Sequence, residues 1–187
     1  SDVCSSALNT VRSAAVGIWV NVGSRDETTS TSGASHFLEH LLLKGTKNRT
    51  ALEISSAIEA VGGEMNAFTS KEYTCFYARV IDNDLPLAID VISDLITSST
   101  VQAADVKAEA NVVLEEIAMR DDDPSDLIHD LFLETYYGKT ALGKPILGTV
   151  NSIKGMSRNT VYNYYKDKYL PKDIVVSVAG NIKHKNV

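Results

Sequence analysis

The chain has 187 residues, 44% hydrophobic and 22% charged, which is enough for one globular domain over residues 1–187. Its 18 Lys and Arg against 24 Asp and Glu give a net charge of −6 and form no basic stripe, which argues against nucleic acid as the main partner. No apolar run approaches the roughly 20 residues of a membrane helix, and the first residues do not resemble a secretory signal. We therefore expect no membrane association and a cytoplasmic location, with the mitochondrial matrix or a processed exported form as alternatives.

The pattern along the chain predicts an α+β fold. Alternating apolar residues over 16–22 predict a strand, and a polar loop follows it. A short helix is expected from Ser35 to just before Gly45, and the capping-box pair Thr50 and Glu53 predicts the start of a second helix. The other predicted elements are two strands forming a hairpin over 64–70 and 73–80, helices over 85–97, 104–120, 125–136 and 159–169, and a final strand over 174–179.

The first predicted helix contains the run His36-Phe37-Leu38-Glu39-His40. Residues four apart lie on one helix face, so the imidazoles of His36 and His40 can converge on one cation. Glu39 lies beside them, where it can act on water rather than ligate the metal. Zinc accepts imidazole and carboxylate ligands, and a catalytic zinc has three protein ligands and one open position. The run therefore predicts a catalytic Zn²⁺ site with one ion per chain and a third ligand elsewhere.

The third ligand is sought among the glutamates of the helix predicted over 104–120. Glu116 and Glu109 are seven residues apart, so they share one helix face, and one can ligate zinc while the other orients a histidine. Glu115 lies about 100° around the helix from Glu116. Periodicity favours Glu116 but leaves Glu115 as an alternative.

Several motifs together resemble the M16 peptidases, the family of pitrilysin, insulysin and the mitochondrial processing peptidases. The inverted motif H-x-x-E-H, which marks the inverzincins, occurs at His36–His40. Similar matches occur at Lys44–Thr46, at Gly62–Thr69, at Val112–Ile117 and at Asp122–Pro124. The resemblance covers nearly the whole chain and implies a mixed, largely antiparallel sheet covered by helices, as in an M16 half-domain.

The resemblance also implies roles for individual residues. The family places its third zinc ligand about 76 positions after the second histidine, which in this chain is Glu116. The three ligands are then His36, His40 and Glu116, with Glu39 as the general base. The family's supporting glutamate, seven residues before the third ligand, corresponds to Glu109. The implied activity is a zinc-dependent endopeptidase.

The strand after Gly62 is the expected substrate-binding edge. Extended peptides can add to an exposed sheet edge through main-chain hydrogen bonds, and related enzymes use this strand in that way. The implied substrate-binding residues are Gly63, Asn66, Ala67 and Phe68, and the implied substrates are extended peptides or presequences. His129 and His184 are interpreted as surface or packing residues.

Two departures from the family pattern bear on activity. No initial strand of the Leu-x-Asn-Gly-Leu kind is visible, and the second half that clamps the substrate is expected to lie outside this chain. We therefore expect a C-terminal M16-like half or a partner subunit, or a homodimer, and the isolated segment is expected to be inactive if that half is required. The alternatives are a non-catalytic scaffold or regulatory subunit of the same fold, and a metal-binding interaction domain.

Overall fold

The computed structural model describes residues 2–187, so Ser1, at the start of the expected domain, lies outside the described residues. The strands are β1 (Asp2–Ala7), β2 (Ser13–Val20), β3 (Glu64–Thr69), β4 (Thr74–Ile81) and β5 (Ile174–Gly180). The helices are α1 (Ala34–Leu42), α2 (Ala51–Glu59), α3 (Leu85–Ser98), α4 (Ala103–Asp122), α5 (Pro124–Tyr137), α6 (Val150–Gly155) and α7 (Arg158–Lys168). Within residues 2–187, no helix combines the length and the apolar composition needed to cross a bilayer.

The five strands form one mixed sheet in the order β1-β5-β2-β4-β3. The β1–β5 pair is parallel, and the other three pairs are antiparallel. Strand β3 therefore lies at one edge of the sheet, where its outer main-chain groups have no neighbouring strand among the described residues. The α+β class and the largely antiparallel sheet confirm the expected architecture.

One face of the sheet packs against the hydrophobic core. Alternate residues of β2, from Ala14 to Val20, are buried, because successive side chains of a strand point to opposite faces. Helices α1 and α3 pack on the sheet. On the opposite face, Trp19 contacts Phe68 with ring centroids 5.9 Å apart. Helix α1 is thus held between the sheet and the other helices.

Two elements differ from the sequence-based expectation. The first element among the described residues is strand β1, which the sequence pattern does not predict and which lacks the Leu-x-Asn-Gly-Leu motif. The signal is weak because β1 is an edge strand that is mostly exposed, and its sequence Asp-Val-Cys-Ser-Ser-Ala has no apolar alternation. Helix α6 was also not predicted, because its six residues are too few to show helical periodicity. Its only local signal is Thr149, whose hydroxyl accepts a hydrogen bond from the Ser152 amide.

Candidate active site

Helix α1 begins at a buried loop that fixes its position. Gly33 precedes the helix with φ of +87°, a left-handed conformation that favours glycine. The carboxylate of Glu27, itself 3% exposed, accepts hydrogen bonds from the amides of Gly33 at 2.7 Å and Ser35 at 2.8 Å. These amides would otherwise be unpaired, as the first amides of a helix are. Glu27 therefore caps the helix across six and eight residues of chain.

Glu27 is almost completely removed from solvent. Burial raises its pKa from the ordinary value of 4.5 to about 7, although the two amide hydrogen bonds and the charge of Lys144 act in the opposite direction. The Ser35 hydroxyl next to the cap is 2.8 Å from the hydroxyl of Tyr164 on α7. The start of α1 is thus tied to a loop on one side and to a distant helix on the other.

The two histidines and Glu116 meet between α1 and α4. The Nε2 atom of His36 lies 3.7 Å from one carboxylate oxygen of Glu116, and the Nε2 atom of His40 lies 3.7 Å from the other. One potential ligand atom from each of the three residues can be chosen so that all lie within 4.8 Å of one another. The structure therefore brings the three predicted ligands together. Glu115, the alternative, is exposed.

This donor set fits zinc. Two ligands about 2.05 Å from one tetrahedral zinc are roughly 3.3 Å apart, close to the 3.7 Å separations found here. Burial, helped by His40, lowers the pKa of His36 to about 4, which keeps its imidazole neutral as a metal ligand must be. Glu116 Oε2 is buried without a hydrogen-bond partner among residues 2–187, and so is His36 Nδ1. A cation would satisfy the carboxylate oxygen.

Glu109 supports the second histidine. Its Oε2 atom is 3.2 Å from Nδ1 of His40, and its Oε1 atom is 2.9 Å from the ammonium of Lys44. A carboxylate at Nδ1 favours the tautomer with its proton there, which leaves Nε2 free to ligate. Glu109 therefore occupies the supporting position that the sequence resemblance implied.

Glu39 faces the same space from α1. Its side chain is largely buried, and its Oε2 atom accepts a hydrogen bond of 2.6 Å from the hydroxyl of Thr69 on β3. Burial raises the pKa of Glu39, while the bond from Thr69 and the neighbouring His40 lower it and Glu116 raises it. A buried carboxylate beside a metal-type site is suited to accept and return a proton.

His36, Glu39 and Glu116 line a cavity of about 560 Å³. One wall is α1 and α4 with the predicted site, and another is the end of β3. Helix α5 contributes three polar side chains, Asp126 and, one turn further along, His129 and Asp130. Arg120 lies in the same lining and pairs with Asp130 at 3.2 Å. The cavity is therefore polar around the metal-type site and acidic along α5.

The predicted substrate residues divide into two pairs. Ala67 and Phe68 line the cavity. Gly63, which immediately precedes the edge strand β3, and Asn66, in the middle of that strand, are not among the residues that line the cavity. A Cβ atom at Gly63 would come within 2.7 Å of Val80 and 2.9 Å of Ile58, so this glycine is needed for packing.

Sequence reasoning missed three residues of this site. Glu27 and Thr69 lie outside the H-x-x-E-H run, and no local pattern connects them to it. His129 was interpreted as a surface or packing residue; it is exposed, yet it lines the cavity. The available signal is its spacing of three residues from Asp126, which makes the two side chains neighbours on the surface of a helix.

Comparison with known proteins agrees with this architecture. The family model described as "Insulinase (Peptidase family M16)" matches residues 2–150. This chain therefore belongs to the M16 peptidase family.

Individual relatives show how much of a longer protein the chain resembles. An uncharacterized zinc protease of Streptomyces coelicolor is 56% identical over 185 residues, covering 99% of this chain and 40% of the relative. The crystal structure of a protease from Helicobacter pylori has a TM-score of 0.94 at 27% identity, covering 99% of this chain and 45% of that one. An M16 inactive domain from Pseudomonas fluorescens has a TM-score of 0.89 at 14% identity, covering 98% and 45%, and shows the fold alone. The chain thus spans less than half the length of these proteins.

Proposed function

We propose that this chain carries the catalytic site of a zinc-dependent endopeptidase that cleaves extended peptides or presequences. The observation that carries the proposal is the convergence of His36, His40 and Glu116 next to a cavity that the Glu39 carboxylate also lines. A purely structural metal site has no use for a spare acid beside the metal. The names of zinc proteases among the relatives support the same activity.

The residues of this chain have separate roles in the proposed reaction. His36, His40 and Glu116 would hold one Zn²⁺, and Glu109 would orient His40. When bound, zinc supplies Lewis acidity toward the peptide carbonyl and makes water more acidic. Glu39 takes the proton of the attacking water and later returns it to the nitrogen of the leaving amine. The charge of the carboxylate and its partial burial suit both steps.

Substrate binding is assigned to the outer edge of β3. The Ala67 amide is bonded to the side chain of Asn66 at 2.8 Å. An extended peptide that displaces the Asn66 oxygen would gain the Ala67 amide as a donor. Phe68, 40% exposed, offers apolar contact beside it, and Gly63 keeps the strand close to α2. We propose these four residues as the peptide-binding edge.

A second half is part of the proposal. The chain covers 40% of the length of two curated relatives, so most of each relative lies outside the matched region. A C-terminal M16-like half, a partner subunit or a second copy of the chain would close the cavity around the peptide. A closed chamber excludes folded proteins and favours unfolded segments.

The rival function is a non-catalytic scaffold or regulatory subunit of the same fold. The similarity in fold to an M16 inactive domain is the reason to consider this alternative. Against it stand the two histidines and two glutamates, which this chain retains in one site. A scaffold would not need Glu39 beside the cluster.

The test compares the native full-length polypeptide containing this sequence with its Glu39→Gln variant. Zinc content and hydrolysis of an unstructured peptide are measured together, and Glu115→Gln serves as the exposed control. We expect one zinc per chain in all three proteins and a loss of turnover of at least about 100-fold in Glu39→Gln alone, the lower range for removing a general base. Turnover that survives in Glu39→Gln contradicts the role of Glu39. Zinc binding without turnover in the native protein favours the scaffold.

A further inference from the structure

Thr69 joins the proposed general base to the proposed substrate strand. It is the last residue of β3, and its hydroxyl donates the 2.6 Å hydrogen bond to Glu39 Oε2. An ionised carboxylate can only accept, so the donor in this pair is the threonine. Hydrogen bonds to a charged carboxylate are short and strong, as this one is. The contact spans 30 residues of sequence and links α1 to the sheet edge.

The hydroxyl of Thr69 is itself held in place. A β-branched side chain has few χ1 rotamers, so its hydroxyl direction is restricted. Thr74, directly opposite in the β3–β4 pair, lies 3.5 Å away between hydroxyl oxygens. Thr74 is fully buried and donates to the Val22 carbonyl at 2.9 Å. The Thr69 hydroxyl, which donates to Glu39, is therefore held by a rigid part of the sheet.

The other carboxylate oxygen of Glu39, Oε1, is available for the proposed proton transfer. Among residues 2–187, Oε1 has no hydrogen-bond donor within the structure, while Oε2 is occupied by Thr69. Glu39 and Thr69 both line the cavity, together with Ala67 and Phe68. A carboxylate anchored through one oxygen presents the other in a fixed direction.

We propose that Thr69 is a positioning residue that holds Glu39 in the orientation needed to take a proton from water. This inference rests on the proposed peptidase function and adds a residue to it. Because Thr69 shares strand β3 with the substrate edge, the same short segment sets the place of the peptide and the direction of the base. A change at Thr69 then affects the rate of the chemical step more than the binding of peptide or metal.

The expected magnitude follows from geometry. Misplacement of a reacting group by about 1 Å can cost about 100-fold in rate. Without its anchor, the Glu39 carboxylate can turn about its side-chain bonds and reaches the reactive orientation less often. We expect kcat to fall about 10- to 100-fold, with KM and zinc stoichiometry close to those of the unchanged protein.

The test uses Thr69→Val, which keeps the shape and removes the donor, and Thr69→Ser, which keeps the donor. Both are made in the native full-length polypeptide, with kcat, KM, bound zinc and the unfolding midpoint measured for each. We expect the valine variant to lose kcat alone and the serine variant to recover most of it. Unchanged kcat in Thr69→Val, or an equal loss in both variants, overturns the proposal. A loss of kcat that follows lost zinc overturns it too.

A double variant separates this proposal from the one on which it rests. If Thr69 acts through Glu39, then adding Thr69→Val to Glu39→Gln causes no further loss, because coupled residues are not additive. A further loss equal to that of Thr69→Val alone contradicts action through Glu39. If Glu39→Gln itself keeps full turnover, the proposed function fails. If Glu39→Gln is inactive and Thr69→Val is fully active, only the role of Thr69 fails.

Discussion

Helices α1 and α5 line the same cavity but are built differently. In α1, seven of nine residues are buried, including Phe37, which is fully buried. In α5, none of the residues from Pro124 to Tyr137 is buried, and Phe132 is 60% exposed. One helix belongs to the core of the domain, and the other lies on its surface.

The difference separates two requirements of the site. Metal ligands must be held within a few tenths of an ångström, and α1 achieves this because its other faces are packed against the sheet and helices. The α5 side chains that face the cavity need no such precision if they contact a variable peptide or a second half. Substitutions should therefore cost folding stability on α1 and little on α5.

The largest expected difference in folding stability is between two substitutions of phenylalanine by alanine, one on each helix. Phe37→Ala removes a fully buried ring and should lower the free energy of unfolding by about 3–5 kcal/mol. Phe132→Ala, its matched control, removes an exposed ring that stacks on Tyr136 with centroids 5.8 Å apart. It should cost less than about 1 kcal/mol, in the range of one aromatic pair. Denaturant unfolding of both variants measures the difference, and similar losses would contradict the contrast between the helices.

The same contrast explains what the sequence could predict. The H-x-x-E-H run and the seven-residue spacing of Glu109 and Glu116 are properties of single helices, so helical periodicity predicts which of these side chains share a helix face. The capping box at Thr50 was visible for the same reason, and the structure contains it. Local patterns predict most of the elements and propose the two histidines as ligands, whereas the choice of Glu116 over Glu115 depends on the family resemblance.

Features that depend on contacts between residues far apart in the sequence cannot be predicted from local patterns. Strand β1 is defined by its parallel register with β5, in which Asp2 pairs with Val175 at the other end of the chain. The Glu27 cap needs a loop to fold back on the helix, and the Thr69 contact needs the hairpin to dock on α1. None of these leaves a periodic signal, because each depends on a contact between separate segments of the chain.

The second prediction concerns the cap of α1. Burial raises the pKa of Glu27 from 4.5 to about 7 in the folded chain. Between these values the folded chain binds more protons than the unfolded chain, so stability falls as pH rises through this window. The fall attributable to Glu27 should reach about 3 kcal/mol, since a tenfold change in a proton equilibrium is worth about 1.4 kcal/mol.

Glu27→Gln isolates this effect because glutamine does not titrate. The free energy of unfolding of the native chain minus that of the variant should have its full value below pH 4.5, decline between pH 4.5 and about 7 and stay constant above about pH 8. Denaturant unfolding at a series of pH values measures it. A difference that does not vary with pH would mean that burial does not control this carboxyl group.

The smallest expected effect is on metal affinity, at the contact between α1 and α4. Glu109→Gln keeps the size of the side chain but removes the negative charge next to His40 Nδ1 and Lys44. Replacing such a partner of a metal-bound histidine typically weakens metal binding by about 10- to 100-fold. Glu115→Gln, on the exposed side of the same helix, is the matched control and should bind zinc as the native chain does. Competition with a chromogenic zinc chelator gives both affinities. A loss of zinc affinity confined to Glu109→Gln would show that the contact between Glu109 and His40 contributes to metal binding. A loss confined to Glu115→Gln would instead identify Glu115 as the third ligand and contradict the site described for Glu116.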